Sequence, residues 1–148
     1  MPSVTSRLVE LTIRAESGEI RRASDWLHAA CKEHGVPDEP VERLVLCLNE
    51  VLANVIVHGG DSARSAPVQL SLETRHLSSG GEAGVTVCDA GVAFDPCSVP
   101  VMPQPRSLEE ASVGGLGIVM IRRCSDWLDY RNEHGRNRLT FGARWSVR

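Results

Sequence analysis

VERLVLCLNEVLANVIVHGG, residues 41–60, decides how the rest of the chain is read. It contains no proline and is long enough for about five helical turns, so an amphipathic helix is predicted. At about 100° per residue, Val41, Leu44, Val45, Leu48, Leu52, Val55 and Ile56 gather on one broad face. Glu50 and Asn54 fall on the opposite side, one turn apart, with Arg43 and His58 near the same line. A carboxylate and a carboxamide in register can hold a reacting proton and a metal ion side by side. Such residues also form the solvated side of many ordinary core helices, and the helix alone leaves both readings open.

A chain of 148 residues is a typical single domain with room for one core. At 42% hydrophobic and 24% charged it has globular composition, neither disordered nor fibrous. A formal net charge of −3 argues against a direct nucleic-acid binder, although Arg21-Arg22, Arg122-Arg123 and the Arg-rich C-terminus form local basic clusters. The five cysteines show no CxxC spacing, and three lie in apolar runs, where a cysteine behaves as a small buried hydrophobe. With neither an N-terminal signal pattern nor an apolar run near 20 residues, the expected home is a reducing cytoplasm, away from membranes.

Around the central helix the chain alternates strands and helices. Residues 7–14, RLVELTIR, read as a strand. Ser17 is placed to cap a helix running to about His34, with Ile20, Ala23, Leu27, Ala30 and Cys31 at helical spacing and Trp26 at the edge. Gly35 stops that helix, and Pro37-Asp38 opens the central one, with Asp38 as its cap. After Gly59-Gly60 a polar turn leads to PVQLSLETR and, across HLSSGGEA, to residues 84–89, GVTVCD; these two strands should pair antiparallel. From 91 to about 113 four prolines break regular structure, as in a passive connector or a functional lid. Residues 114–117, GGLG, lead into an apolar helix ending near Asp126, and WLDYRNE and NRLTFGARW flank His134-Gly135 as a closing hairpin. The order predicts an α+β two-layer sandwich, a mixed, mostly antiparallel sheet with helices on one face.

Three separated stretches carry the candidate chemistry. Glycines just ahead of a helix expose backbone N–H groups to an anion, whose charge the helix dipole favours, although a structural turn is the commoner use of such a sequence. An aspartate at a strand end, Asp89, suits acceptance of a hydrogen bond from an exocyclic amine, and Gly91 would let a flat base approach the backbone. Asn54 supplies a neutral oxygen of the kind Mg²⁺ takes alongside phosphate oxygens and water.

Taken together, N-E-x-x-x-N-x-x-x-H-G (Asn49 to Gly59), D-A-G-V-A-F-D-P (Asp89 to Pro96) and G-G-L-G-I (Gly114 to Ile118) resemble the boxes of the Bergerat-fold ATPases. Within that superfamily the chain is similar to the small bacterial anti-sigma-factor serine kinases over nearly its whole length. The resemblance implies ATP and Mg²⁺ as cofactors, with Asn54 on the metal and Glu50 as general base toward the attacking hydroxyl. It implies Asp89 on the adenine amine and Gly91 lining the base pocket. Gly115 and Gly117 would surround the phosphates, with Gly114, Leu116 and Ile118 completing that loop. His58 and Ala93 would border the nucleotide, Phe94 would pack over the base or anchor the lid, and Thr140 would set a hydroxyl near Asp89.

Two features depart from the family pattern. Ala93 stands where many relatives have a second glycine, and no Lys or Arg lies between Arg106 and Arg122 to meet a γ-phosphate. The leading expectation is an ATP-dependent protein serine kinase that phosphorylates a small anti-sigma-factor antagonist and sequesters a sigma factor. Such relatives often form homodimers, and the N-terminal strand with Arg21-Arg22 beyond it is a candidate surface. The alternative is a nucleotide-holding partner switch with little transfer activity, for which a base at Glu50 has no use. The detached catalytic domain of a histidine kinase is disfavoured, because no helical hairpin with a phospho-accepting histidine precedes it. His28 and His34 on the first helix read as surface residues.

Overall fold

The structure, a computed structural model, describes residues 5–93 and 121–146. Five strands, β1 (Thr5–Ile13), β2 (Val68–Leu77), β3 (Gly80–Asp89), β4 (Trp127–Glu133) and β5 (Arg136–Ser146), form one sheet in the order β1-β2-β3-β5-β4. All four pairings are antiparallel, so the mixed sheet expected from sequence is purely antiparallel among the described residues. Helices α1 (Glu19–Glu33) and α2 (Asp38–His58) cover one face, and a short helix, α3 (Gly60–Arg64), follows where a polar turn was expected. The α+β two-layer sandwich is therefore as predicted.

Strand alternation builds the inner face. Val68, Leu70 and Leu72 of β2, Val85 and Val87 of β3, and Leu139 and Phe141 of β5 are buried against α1 and α2. From the helices come Ala23, Leu27 and Cys31, then Leu44, Cys47, Leu48, Val51 and Leu52. The buried face of α2 is wider than its expected stripe, because Cys47 and Val51 are also covered, in part by Ile121. Burial, with the nearby Cys124 thiol adding to it, pushes the Cys47 thiol up to about 12, and burial alone does the same for Cys31. Both behave as packing residues, as their apolar surroundings suggested. Trp26 packs half-buried against the core edge.

The helix starts differ from expectation. Gly18, not Ser17, holds the cap position of α1, and Ser17 contributes only its carbonyl, which accepts from the Ile20 N–H at 3.3 Å. Pro37 precedes α2 in extended geometry, which makes Asp38 the first helical residue, and no side chain caps the helix. Acidic side chains in the first turns (Glu19; Asp38 and Glu39) act on the helix dipoles instead. Gly35 ends α1 as expected, with φ +74°. His34 is buried, not at the surface: its Nδ1 lies 3.0 Å from the buried Thr74 hydroxyl, and desolvation lowers its pKa.

Both hairpins form as predicted, but the first connection is a two-residue turn, not the whole of HLSSGGEA. Leu77 opposes Gly80 across a two-residue turn, and Glu133 opposes Arg136 across His134-Gly135, both of which have positive φ. β3 begins at Gly80, four residues earlier than predicted, since Ala83 continues the inward alternation. On the outer face the Trp127 ring lies over Gly142 and Gly84, where an added Cβ would come within 2.0 Å and 2.7 Å of ring atoms. No helix among the described residues is long and apolar enough to cross a membrane.

Candidate functional site

The C-terminal half of α2, the end of β3, the start of β5 and Tyr130 of β4 line one cleft. Its walls are mostly apolar: Val51 and Val55 from α2, Val92, Ile121 and Leu139. Its polar groups are few, namely Asn54, His58, Asp89, Tyr130 and Asn137. An apolar slot with a handful of fixed polar atoms suits a flat heteroaromatic ring.

Asp89 closes β3 on the inner face, continuing the alternation of Val85 and Val87, and is 6% exposed. Its Oδ1 accepts from the Gly91 N–H at 2.8 Å and from the Asn137 Nδ2 at 3.1 Å. A buried carboxylate oxygen left without such partners would be costly. Oδ2 takes no hydrogen bond from the described residues, which leaves it as the acceptor a ligand can use. Gly91 is required by the protein itself, since a Cβ there would lie 2.8 Å from Gly59 Cα and 2.9 Å from Asp89 Oδ1. The chain just past β3 thereby rests on the end of α2, and the Val92 N–H donates to Gly59 O at 3.1 Å.

The structure thus brings Asn54, His58 and Asp89 into one cleft and packs Gly91 against Gly59, which lines it. Asn54 is half-buried and makes no hydrogen bond with the described residues, so its amide oxygen is uncommitted. No group of three His, Cys, Asp or Glu side chains among the described residues could hold a metal ion unaided. A divalent cation that draws most of its ligands from phosphate and water fits Asn54 as a single protein donor. Glu50 sits one turn earlier on α2, half-buried and outside the cleft lining. Ala93 is exposed and does not line the cleft. Phe94 and the loop residues Gly114, Gly115, Leu116, Gly117 and Ile118 lie outside the described residues, as does most of the expected lid.

Thr140 is not near Asp89. The β3–β5 register places Asn137 opposite Asp89 and Thr140 opposite Thr86. Thr140 therefore points to the outer face, where its hydroxyl lies 2.9 Å from that of Thr86. The residue beside the aspartate is Asn137, which sequence reasoning missed together with Tyr130. Its signal was the parity of NRLTFGA: Asn137 shares a face with the apolar Leu139, Phe141 and Ala143. Asn49, first letter of the first box, turns toward α1, where its Oδ1 accepts from Ser24 Oγ. Arg43 ties α2 to the helical turn at 121–124: it bonds the Glu39 carboxylate at 2.7 Å and donates to Cys124 O at 3.1 Å and Asp126 Oδ2 at 3.3 Å.

Known proteins are similar to this chain. Residues 13–142 match the family described as Histidine kinase-like ATPase domain. The chain is 34% identical over 98 residues to the serine/threonine-protein kinase BtrW of Bordetella bronchiseptica, a match covering 66% of each protein. Its fold resembles the crystal structure of the RsbU and RsbW domains of Rv1364c from Mycobacterium tuberculosis, with a TM-score of 0.65 at 14% identity. That likeness covers 96% of this chain and 33% of the other.

Proposed function

We propose that this chain, which belongs to the histidine kinase-like ATPase domain family, binds ATP in the cleft and transfers its γ-phosphoryl group to a serine on a partner protein. The observation that carries the nucleotide reading is Asp89, a buried carboxylate with one oxygen fixed and one open, in a slot walled by Val51, Val55 and Leu139. The adenine amine donates to Asp89 Oδ2, while the apolar walls cover the ring. Asn54 would hold Mg²⁺, which would supply charge neutralisation for the transferring group. Glu50 takes the proton from the serine hydroxyl as its oxygen bonds to the γ-phosphorus and the bond to the β-phosphate oxygen breaks, leaving ADP and a phosphoserine.

The protein substrate is a small anti-sigma-factor antagonist, whose phosphorylation releases it and leaves the kinase free to hold a sigma factor. Support for this finer reading is the similarity to BtrW, named a serine/threonine-protein kinase, and the order of the three boxes. One observation favours the alternative, a nucleotide-holding switch with slow transfer: no Lys or Arg is among the described residues lining the cleft. Incubation with labelled ATP, Mg²⁺ and candidate antagonists, followed by phosphosite mapping, separates the two. Phosphate on an antagonist serine supports the kinase; a tight complex that never transfers supports the switch.

The base pocket has its own test. Guanine presents an acceptor where adenine presents its amine, so ATP is expected to bind more tightly than GTP. Asp89→Asn should cost ATP about 1.5–3 kcal/mol, the usual worth of a charge-assisted hydrogen bond. Titration calorimetry on both proteins with both nucleotides checks this, and equal affinity for ATP and GTP in the wild type would remove Asp89 from the base pocket.

A further inference from the structure

Asn137 carries more hydrogen bonds than any other described side chain near the cleft, and their arrangement fixes its orientation. Its Nδ2 faces three acceptors: Asp89 Oδ1 at 3.1 Å, Gly91 O at 3.2 Å and Val92 O at 3.1 Å. Its Oδ1 accepts from the Tyr130 hydroxyl and from Asn132 Nδ2, the latter at 3.1 Å. Turning the amide over would set an oxygen against three oxygens, so only one orientation satisfies both ends. The residue is 6% exposed, a level at which an unsatisfied amide would be costly.

These bonds tie four parts of the chain to one side chain at the cleft. Asn137 belongs to β5, Tyr130 and Asn132 to β4, Asp89 to the end of β3, and Gly91 and Val92 to the segment leaving the sheet. Donation to Oδ1 alone leaves Asp89 Oδ2 as the free acceptor and stops the carboxylate from rotating. The same Nδ2 pins the carbonyls of Gly91 and Val92, and Val92 is a wall of the cleft. We propose that Asn137 is a positioning residue for adenine recognition, a staple from β5 that aims Asp89 at the base and locks the segment after β3 in place. The inference rests on the nucleotide reading of the cleft.

The test is Asn137→Asp, which keeps the shape and replaces the donor with an acceptor. Two carboxylates about 3 Å apart cannot both ionise without repulsion, so one of the pair acquires a raised pKa. Above that pKa Asp89 is driven out of position; below it, a shared proton again donates toward Asp89 Oδ1. ATP affinity of the variant should therefore be about 10- to 100-fold below wild type at high pH, and the ratio should narrow as pH falls from about 9 to about 5. Wild type is measured across the same range, so titration of ATP itself cancels in the ratio. Thermal unfolding is followed in parallel, because a purely structural loss would not restore binding on protonation.

Tyr130→Phe provides a second, milder variant that removes only the hydroxyl donating to Asn137 Oδ1. It should weaken ATP binding by about 2- to 10-fold with the fold intact. A folded Asn137→Asp with wild-type affinity at high pH, or with a loss that does not change with pH, overturns the staple. If Asn137→Asp does not fold, unchanged affinity in Tyr130→Phe overturns it instead, and a loss in the stated range supports it. Failure of wild type to bind ATP is a different result: it removes the nucleotide reading first, and the inference falls with it.

Discussion

Glu50→Gln is expected to slow phosphoryl transfer to a protein serine by about 10²–10⁴-fold while leaving ATP affinity near the wild-type value. Glu50 makes no hydrogen bond or ion pair with the described residues and lies outside the cleft lining, so neither fold nor nucleotide pocket depends on its charge. The substitution is nearly isosteric and removes only the ability to accept a proton. Its position is one turn of α2 from Asn54, the proposed metal ligand, where the proposed reaction needs a base. A loose phosphoryl-transfer transition state asks less of a base, which favours the lower end of the range. Single-turnover phosphorylation of a bound antagonist, with ATP affinity measured alongside, decides it. Transfer at the wild-type rate would leave the kinase standing and take Glu50 out of its mechanism.

The second large effect is on stability. Phe141 is fully buried in β5, opposite Val85 of β3 and Leu128 of β4. Phe141→Ala should destabilise the fold by about 3–5 kcal/mol, from lost transfer energy plus the cavity left behind. A central strand between two paired neighbours has little room to collapse into that space. Denaturant titration should show a lower midpoint with an unchanged slope; a loss below about 1 kcal/mol would mean that the α2–β5 contact relaxes freely. Such a variant is also a control for the site variants, since it should lose ATP binding only to the extent that it unfolds.

Much of this was legible in the chain itself. Helical spacing in residues 41–60 located α2 and put Asn54 and His58 on the side that becomes a cleft wall. Strand alternation located β2, and the strand-end position of Asp89 was read before any tertiary contact was known. Other features escaped, among them three that bear on the site and the first helix. Thr140 was placed beside Asp89 by likeness, although a separation of three residues from Asn137 puts it on the other face of the same strand. The Asn137–Tyr130 pair depends on which strands are neighbours, and local pattern does not encode the order β1-β2-β3-β5-β4. The start of α1 was assigned to a serine because serine is a good cap, but Gly18 holds the cap position and the Ser17 carbonyl closes the turn.

The strand order also determines how the molecule is assembled in time. Asp89 and Asn137 are 48 residues apart, and Arg43 reaches 81 residues along the chain to Cys124. Each hairpin, with its two-residue turn, can close alone in about 1–10 μs, but neither contains a binding site. The cleft exists only once β5 has paired with β3, a long-range step of the kind that sets folding speed. A nucleotide is therefore expected to find nothing to grip until that pairing has formed. Added ATP should leave the refolding rate of the chain unchanged and lengthen the lifetime of the native state, with the whole of its stabilisation appearing in the unfolding arm of a chevron plot.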